Sequence, residues 1–225
     1  MYRFWIRQVK KITKNQDRIL EVGCGLGYFL RYLAKDRNAI GIDISRDALQ
    51  IARKFTDIPL MQTSAEEITF KKESFSMVIA MDLIEHLHHP EIFISESSRV
   101  LKKNGYLLIT TPNLSSFGAR VKGQKPELHG KPYSERMWEW HAWRDESHIN
   151  IRSITEWRRL LWDNGFKILR DGTDTLWDVP YFKGIPYAIQ KVPFISAHWI
   201  LTWLFGFFPW KWGENYICIA RKVGS

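Results

Sequence analysis

Residues 21–29 read EVGCGLGYF, an acid followed by glycines at 23, 25 and 27 in the pattern E-x-G-x-G-x-G. Glycines behind an apolar run let the backbone take positive φ and approach a ligand closely. The helix start that follows offers free N–H groups and a positive dipole end. Two classes of cofactor use such a turn. A dinucleotide site needs G-x-G-x-x-G with the pyrophosphate at the helix end, but here Tyr28 stands at the third glycine position. A phosphate would be repelled by Glu21, whereas a cationic amino-acid moiety or a sulfonium would be attracted to it. A second acid, Asp43, ends the run AIGID (39–43). There a carboxylate can accept both hydroxyls of a ribose, and a solvated strand-end aspartate is the plain alternative. The third constellation is MDLIEHLHHP (81–90). Asp82, Glu85 and His86 fit one turn of helix, with Asp82 and Glu85 on a shared face. His86, or His148 in the later ESHIN, is a candidate general base. His88 and His89 read as surface and helix-cap residues.

These residues need a scaffold that brings strand ends together, and the text supplies one. RILEV (18–22), AIGID (39–43), IPLMQ (58–62), FSMVIAM (75–81) and GYLLITT (105–111) are short apolar runs. Helical spacing separates them: YFLRYLAKD (28–36), a helix capped by Ser45 and running to Lys54, and one from Pro90 to Leu101. Near-continuous apolar strands alternating with helices predict an α/β fold, with a mostly parallel sheet covered on both faces and doubly wound. Ligands then bind beyond the carboxyl ends of the strands, where Glu21, Asp43 and the Glu85-His86 pair fall. Farther on, SITE (153–156) is a capping box opening a helix to Asn164, which Gly165 ends. FKILRDG (166–172) and NYICIARK (215–222) complete seven strands. The basic N-terminus reads as an amphipathic helix over about 1–15. Two stretches, about 114–147 and 174–213, break the pattern and read as lid insertions.

The length of 225 residues fits one domain, and 45% hydrophobic with 25% charged residues is an ordinary globular balance. Cys24 and Cys218 lie in apolar runs outside any metal-spaced cluster, which suits buried reduced thiols and a cytoplasmic protein. The net charge of +9 admits a polyanion, an anionic membrane or an acidic substrate without choosing. The basic residues are scattered rather than interleaved with stacking aromatics, which argues against nucleic acid.

ILEVGCGLGYFLRYLA, GIDIS and SAEEITFKKESFSMVIAMDLIEHLHHPEIFISESSRVLKKNGYLLITTPN together resemble the seven-stranded, Rossmann-like class of S-adenosylmethionine-dependent methyltransferases, of the small-molecule, ubiquinone-biosynthesis type. The resemblance runs from about residue 19 to 113 and resumes over 148–172. It implies an antiparallel last strand and S-adenosylmethionine as cofactor, leaving as S-adenosylhomocysteine. Glu21, Gly23, Gly25 and Gly27 would form the methionine-side turn. Asp43 would hold the ribose and Ile44 would pack on the adenine. Ser64, Ala65 and Glu66 would lie at the adenine edge, and Met81 and Asp82 on the sulfonium side. The sequence departs from relatives at Ser64, where an aspartate is usual, and at Phe75-Ser76, where Phe-Asp is common. Some relatives that methylate a hydroxyl beside another hydroxyl bind a divalent metal through acid-x-x-Glu-His and a later histidine. Asp82, Glu85, His86 and His148 could form that set, but a metal is not the favoured reading.

TTPN (110–113) lacks the Asn/Asp-Pro-Pro-aromatic signature of enzymes that methylate nucleobase amino groups, and the resemblance turns Asn113 toward an acceptor. A hydroxyl of a small-molecule, glycan or lipid-linked acceptor is therefore expected. The alternatives are an RNA methyltransferase, a non-catalytic S-adenosylmethionine-binding module and, against Tyr28 and Glu21, a dinucleotide oxidoreductase. PFISAHWILTWLFGFFPWKW (193–212) is apolar from Phe194 to Phe208 apart from Ser196, His198, Thr202 and Gly206. It falls short of the roughly 20 apolar residues of a spanning helix. It reads as a helical lid over the acceptor pocket, or as a peripheral membrane contact with tryptophans at headgroup level and Lys183, Lys191 and Lys211 on anionic lipid.

Overall fold

The computed structural model describes residues 2–33, 37–121 and 147–223. Seven strands form one sheet in the order β3-β2-β1-β4-β5-β7-β6. They are β1 (Arg18–Val22), β2 (Asn38–Asp43), β3 (Leu60–Gln62), β4 (Phe75–Met81), β5 (Leu101–Pro112), β6 (Phe166–Thr173) and β7 (Asn215–Lys222). β3, β2, β1, β4 and β5 are parallel, and β7 runs antiparallel between β5 and β6. The sheet order reverses at β1/β4, so the carboxyl ends of β1, β2 and β4 open onto one crevice.

The central strands are apolar at successive positions because the sheet is buried on both sides. Leu20, Val22, Val78, Ala80 and Ile109 feed one core with Phe93 of α4 (Pro90–Val100) and Trp157 of α6 (Ile154–Asp163). Ile19, Ile79 and Leu108 feed the other with Trp5 and Val9 of α1 (Tyr2–Ile12) and Leu30 of α2 (Leu30–Leu33). The predicted caps form. Ser45 Oγ accepts from Ala48 N at the start of α3 (Arg46–Ala52), and Ser153 and Glu156 close a capping box on α6. Both cysteines are buried and free.

One strand differs from the sequence reading. β5 starts earlier than expected, at Leu101. Asn104 at φ 62 lies in the bulge between the pairs Phe75–Leu101 and Met77–Tyr106. The predicted first insertion lies mostly outside the described residues; its described start forms α5 (Phe117–Val121). The second insertion contains a 19-residue helix, α7 (Tyr187–Phe205), ending at Gly206 with φ 79. A Cβ at Gly206 would lie 1.7 Å from the Phe4 ring, so glycine is what allows α1 to meet the end of α7. Among the described residues, no helix is long and apolar enough to cross a membrane.

Candidate functional site

The turn after β1 carries the glycines at φ 70, 50 and 74, all in the left-handed region. Each has a different reason for lacking a side chain. A Cβ on Gly23 would come within 2.7 Å of Leu83, so this glycine lets the loop after β4 close on the loop after β1. A Cβ on Gly27 would meet Ala52 of α3 at 3.0 Å. A Cβ on Gly25 would meet nothing within 4 Å. Packing therefore explains Gly23 and Gly27, while Gly25 faces open space.

Glu21 is buried near the end of β1, just before this turn, with Oε2 lacking any hydrogen-bond partner. Burial, and then the nearby Asp43 charge, hold its carboxyl well above the usual range. A buried oxygen without a partner is costly, and a cation placed against it would remove that cost. Asp43 ties the turn to the next strand. Its Oδ2 accepts from Gly25 N at 2.7 Å and its Oδ1 from Ser45 N at 2.8 Å. Each oxygen keeps a second lone pair for a ligand hydroxyl. Ile44 follows with 72% of its surface exposed, an apolar surface next to Asp43. The orphaned Glu21 oxygen and the open face of Gly25 fit the amino-acid end of S-adenosylmethionine, and Asp43 and Ile44 fit its nucleoside.

The residues expected at the adenine edge divide. Ala65 is buried, and Ser64 Oγ accepts from Glu66 N at 3.1 Å within its own turn. One oxygen of Glu66 accepts from His89 N at 2.8 Å, so Glu66 ties this turn to the start of α4.

After β4 the expected helical turn through Asp82 does not form. Asp82 sits at φ 50, outside the short 3-10 turn Ile84–His86, and shares no helix face with Glu85. Thr110 is the reason. Asp82 N donates to Thr110 O and Oγ1, both at 3.0 Å, and Thr110 Oγ1 donates back to Asp82 Oδ1 at 2.7 Å. Asp82 is open to the cleft, yet enough protein surrounds its carboxyl to raise its pKa; Thr110 and the nearby His86 pull it back down. Met81 lies alongside, half-buried.

Glu85, His86 and His148 do converge: one ligand atom from each lies within 4.8 Å of the others. Glu85 is fully buried and its Oε1 is 3.9 Å from His86 Nε2. The two imidazoles meet edge to face at 4.7 Å. The backbone holds them there. Glu85 O accepts from Ile149 N and Asn150 N, both at 2.9 Å. Asn150 Nδ2 donates to Leu87 O at 2.5 Å. His86 Nδ1 lies 3.1 Å from Ser147 O, a carbonyl that can only accept, so Nδ1 is the donor of this contact. The fourth member of the metal set, Asp82, stands apart on Thr110.

Two findings on the acceptor side were not visible in the motifs. Asn113 does not face an acceptor; it is buried and consumed by the chain itself. Its Nδ2 donates to Lys211 O at 2.9 Å and Gly213 O at 2.8 Å, and its Oδ1 accepts from Ser115 N at 3.0 Å. In its place, α7 turns His198 and Thr202 inward. They line a cavity of about 20 Å³ with Asp82, Thr110 and Asp174, room for about one water. His198 Nδ1 is 2.9 Å from Thr175 Oγ1, and burial pushes the imidazole down to about 4, so it is neutral at pH 7. The signal was present in the sequence as the polar residues that interrupt the apolar run 194–208.

A family model described as a methyltransferase domain matches residues 1–170. The ubiquinone biosynthesis O-methyltransferase of Pelagibacter ubique is 26% identical over 182 residues, covering 75% of each chain. A Methanocaldococcus jannaschii protein is 30% identical over 172 residues, 76% of this chain and 74% of its own. The solved structure of a methyltransferase from Methanosarcina mazei superposes with a TM-score of 0.68 at 17% identity, covering 97% of this chain and 98% of that one, and so shares its fold.

Proposed function

Since this chain belongs to the methyltransferase-domain family and is an S-adenosylmethionine-dependent methyltransferase, we propose that it methylates a hydroxyl of a small-molecule, glycan or lipid-linked acceptor, with His86 as general base. The observation that carries the donor half is the unpartnered Glu21 oxygen in the same turn as the open face of Gly25, with Asp43 bonded to Gly25 N and acting on the Glu21 carboxyl. The Gly23–Gly27 turn and Glu21 hold the amino-acid end, Asp43 the ribose and Ile44 the adenine face. Ser64, Ala65 and Glu66 border the adenine, and Met81 and Asp82 the sulfonium side. Bound S-adenosylmethionine supplies a methyl group on a good leaving group, so the protein's task is alignment and exclusion of water.

A hydroxyl is a weak nucleophile and gains from a base. His86 takes the acceptor proton at Nε2, since Nδ1 is committed to Ser147 O. Glu85, buried 3.9 Å from that nitrogen, steadies the imidazolium that forms. His148 packs edge-on against the ring and fixes its plane. The printed name of the Pelagibacter relative, an O-methyltransferase, favours the same nucleophile class.

Calorimetry with S-adenosylhomocysteine, NAD and NADP tests the donor half; binding of S-adenosylhomocysteine alone is expected. Labelled-methyl uptake across quinols, sugars and polyprenyl-linked glycans then finds the acceptor. On that acceptor, His86→Gln is expected to lower kcat by about 10²–10⁴-fold with S-adenosylhomocysteine affinity kept. Unchanged kcat would remove His86 from the chemistry.

A further inference from the structure

Helix α7 is inside out for a surface helix. Its buried residues are the polar ones, Gln190, His198 and Thr202. Its outward positions are mostly apolar: Trp199 is 55% and Trp203 67% exposed, with Ile189, Val192, Ile200 and Leu204 exposed beside them. A surface helix normally turns its apolar stripe to the core. Here the inner face is fixed by polar contacts instead. Gln190 Oε1 accepts from Tyr181 N at 2.7 Å and Phe182 N at 3.0 Å, while Nε2 donates to Phe182 O and Ile185 O. At the other end Phe4 and Trp5 of α1 pack on Gly206 and Phe207. The helix cannot roll its aromatic face inward without breaking these contacts.

The charge around the face is one-sided. Between Asp178 and Glu214 the chain has no acidic residue, but it carries Lys183, Lys191 and Lys211, all exposed. Lys191 lies over the Tyr187 ring at one end of α7. Lys211 follows Trp210, which continues the aromatic series Phe205–Phe208–Trp210 from the other end. Apolar residues with tryptophans among them and lysines at both ends match the headgroup region of an anionic bilayer. A second copy of the chain matches it poorly, since a two-fold contact would set lysine against lysine with no acid in the strip to receive them.

We propose that the outer face of α7 docks this enzyme on an anionic lipid surface. The inner face of the same helix lines the cavity beside Asp82. Docking therefore places the bilayer one helix away from Asp82, and the substrate is a hydroxyl carried on a lipid. This last step rests on the methyl-transfer reading above; the docking itself does not.

Co-sedimentation of the full chain with vesicles tests it, using phosphatidylcholine alone and phosphatidylcholine with phosphatidylglycerol. Binding is expected to the anionic vesicles, weakened by salt. Replacing the three lysines by alanine is expected to cost about fivefold in partitioning for each. The double variant Trp199→Ser/Trp203→Ser is expected to lose about tenfold or more while binding S-adenosylhomocysteine as before. That last readout shows the fold is intact. No binding to either vesicle, undiminished binding by the tryptophan variant, or a stable dimer that ignores vesicles would each overturn the proposal. Vesicle binding without any S-adenosylhomocysteine binding would instead sink the enzymatic reading and leave the docking standing.

Discussion

Replacing Gly25 by alanine separates the cofactor's claim on the glycine turn from the fold's. The residue sits at φ 50, where an alanine costs about 1–2 kcal/mol relative to glycine. Its backbone N–H, which donates to Asp43 Oδ2, is kept. The new methyl meets nothing within 4 Å, so no clash adds to that cost. For a chain of this size the change is expected to lower Tm by roughly 2–8 °C. If the amino-acid end of S-adenosylmethionine uses that open face, the methyl occupies its space, and misfit of this kind costs about 1–3 kcal/mol. S-adenosylhomocysteine affinity, read by calorimetry, is then expected to fall roughly 5- to 150-fold. Gly27→Ala is the control. It has the same backbone strain and a 3.0 Å contact with Ala52, so it is expected to lose more stability and less affinity. Wild-type affinity in Gly25→Ala, with the Tm loss present, would refute the assignment of the open face to the cofactor.

Glu21 predicts a proton count. Its carboxyl is held well above the usual range in the free protein, and a cation beside it favours ionisation. Binding S-adenosylhomocysteine is therefore expected to release a proton and to tighten as pH rises; calorimetry in buffers of different ionisation enthalpy measures this, and Glu21→Gln should abolish it. Glu214 predicts a pH-dependent stability. Burial, with Asp178 and Asp174 adding to it, raises its carboxyl from 4.5 to about 8 against the opposing Tyr181 hydrogen bond. The native state holds that proton more tightly than the unfolded chain, so the contribution is full below about pH 4.5 and is lost as pH rises through about 8. Glu214→Gln should match the parent near pH 5 and exceed it by about 3–5 kcal/mol above pH 9 in urea unfolding; parallel curves would contradict the assignment. Magnesium or manganese added to chelator-treated protein is expected to leave Tm and activity unchanged, and a rise in either would place a cation among Glu85, His86 and His148.

The glycine turn and its strand-end acids were legible because their determinants are local. Strand, glycine turn and helix follow within a dozen residues, and the strand-end acids fall where a parallel sheet delivers them. All seven strands form where the apolar runs lie. What failed was set by distant partners. Asp82 was placed on a helix by spacing, but Thr110, 28 residues on, holds it at positive φ. The ending TTPN points Asn113 at the acceptor, but carbonyls about a hundred residues away consume its amide. No window of sequence contains both partners of either contact.

The same contrast explains why the acceptor stayed unnamed. The 173–175 and 206–215 segments are joined by polar contacts rather than apolar packing. Thr173 and Phe208 exchange two backbone hydrogen bonds of 2.9 Å. Buried Asp174, pushed up to about 7, accepts from Asn215 N and from Trp177 Nε1. Tyr181 Oη donates to Glu214. Burying that many polar groups is tolerable only when each finds its partner, so the arrangement is specified by pairs, not by a hydrophobic stripe. In α7 this inverts the usual rule: periodicity would send Trp199 and Trp203 inward, and the hydrogen bonds of Gln190 and His198 send them out. A helix whose polar side chains hold it in place leaves its apolar ones free for a surface outside the molecule. In this run His198 and Thr202 point toward Asp82, and the tryptophans point away from it.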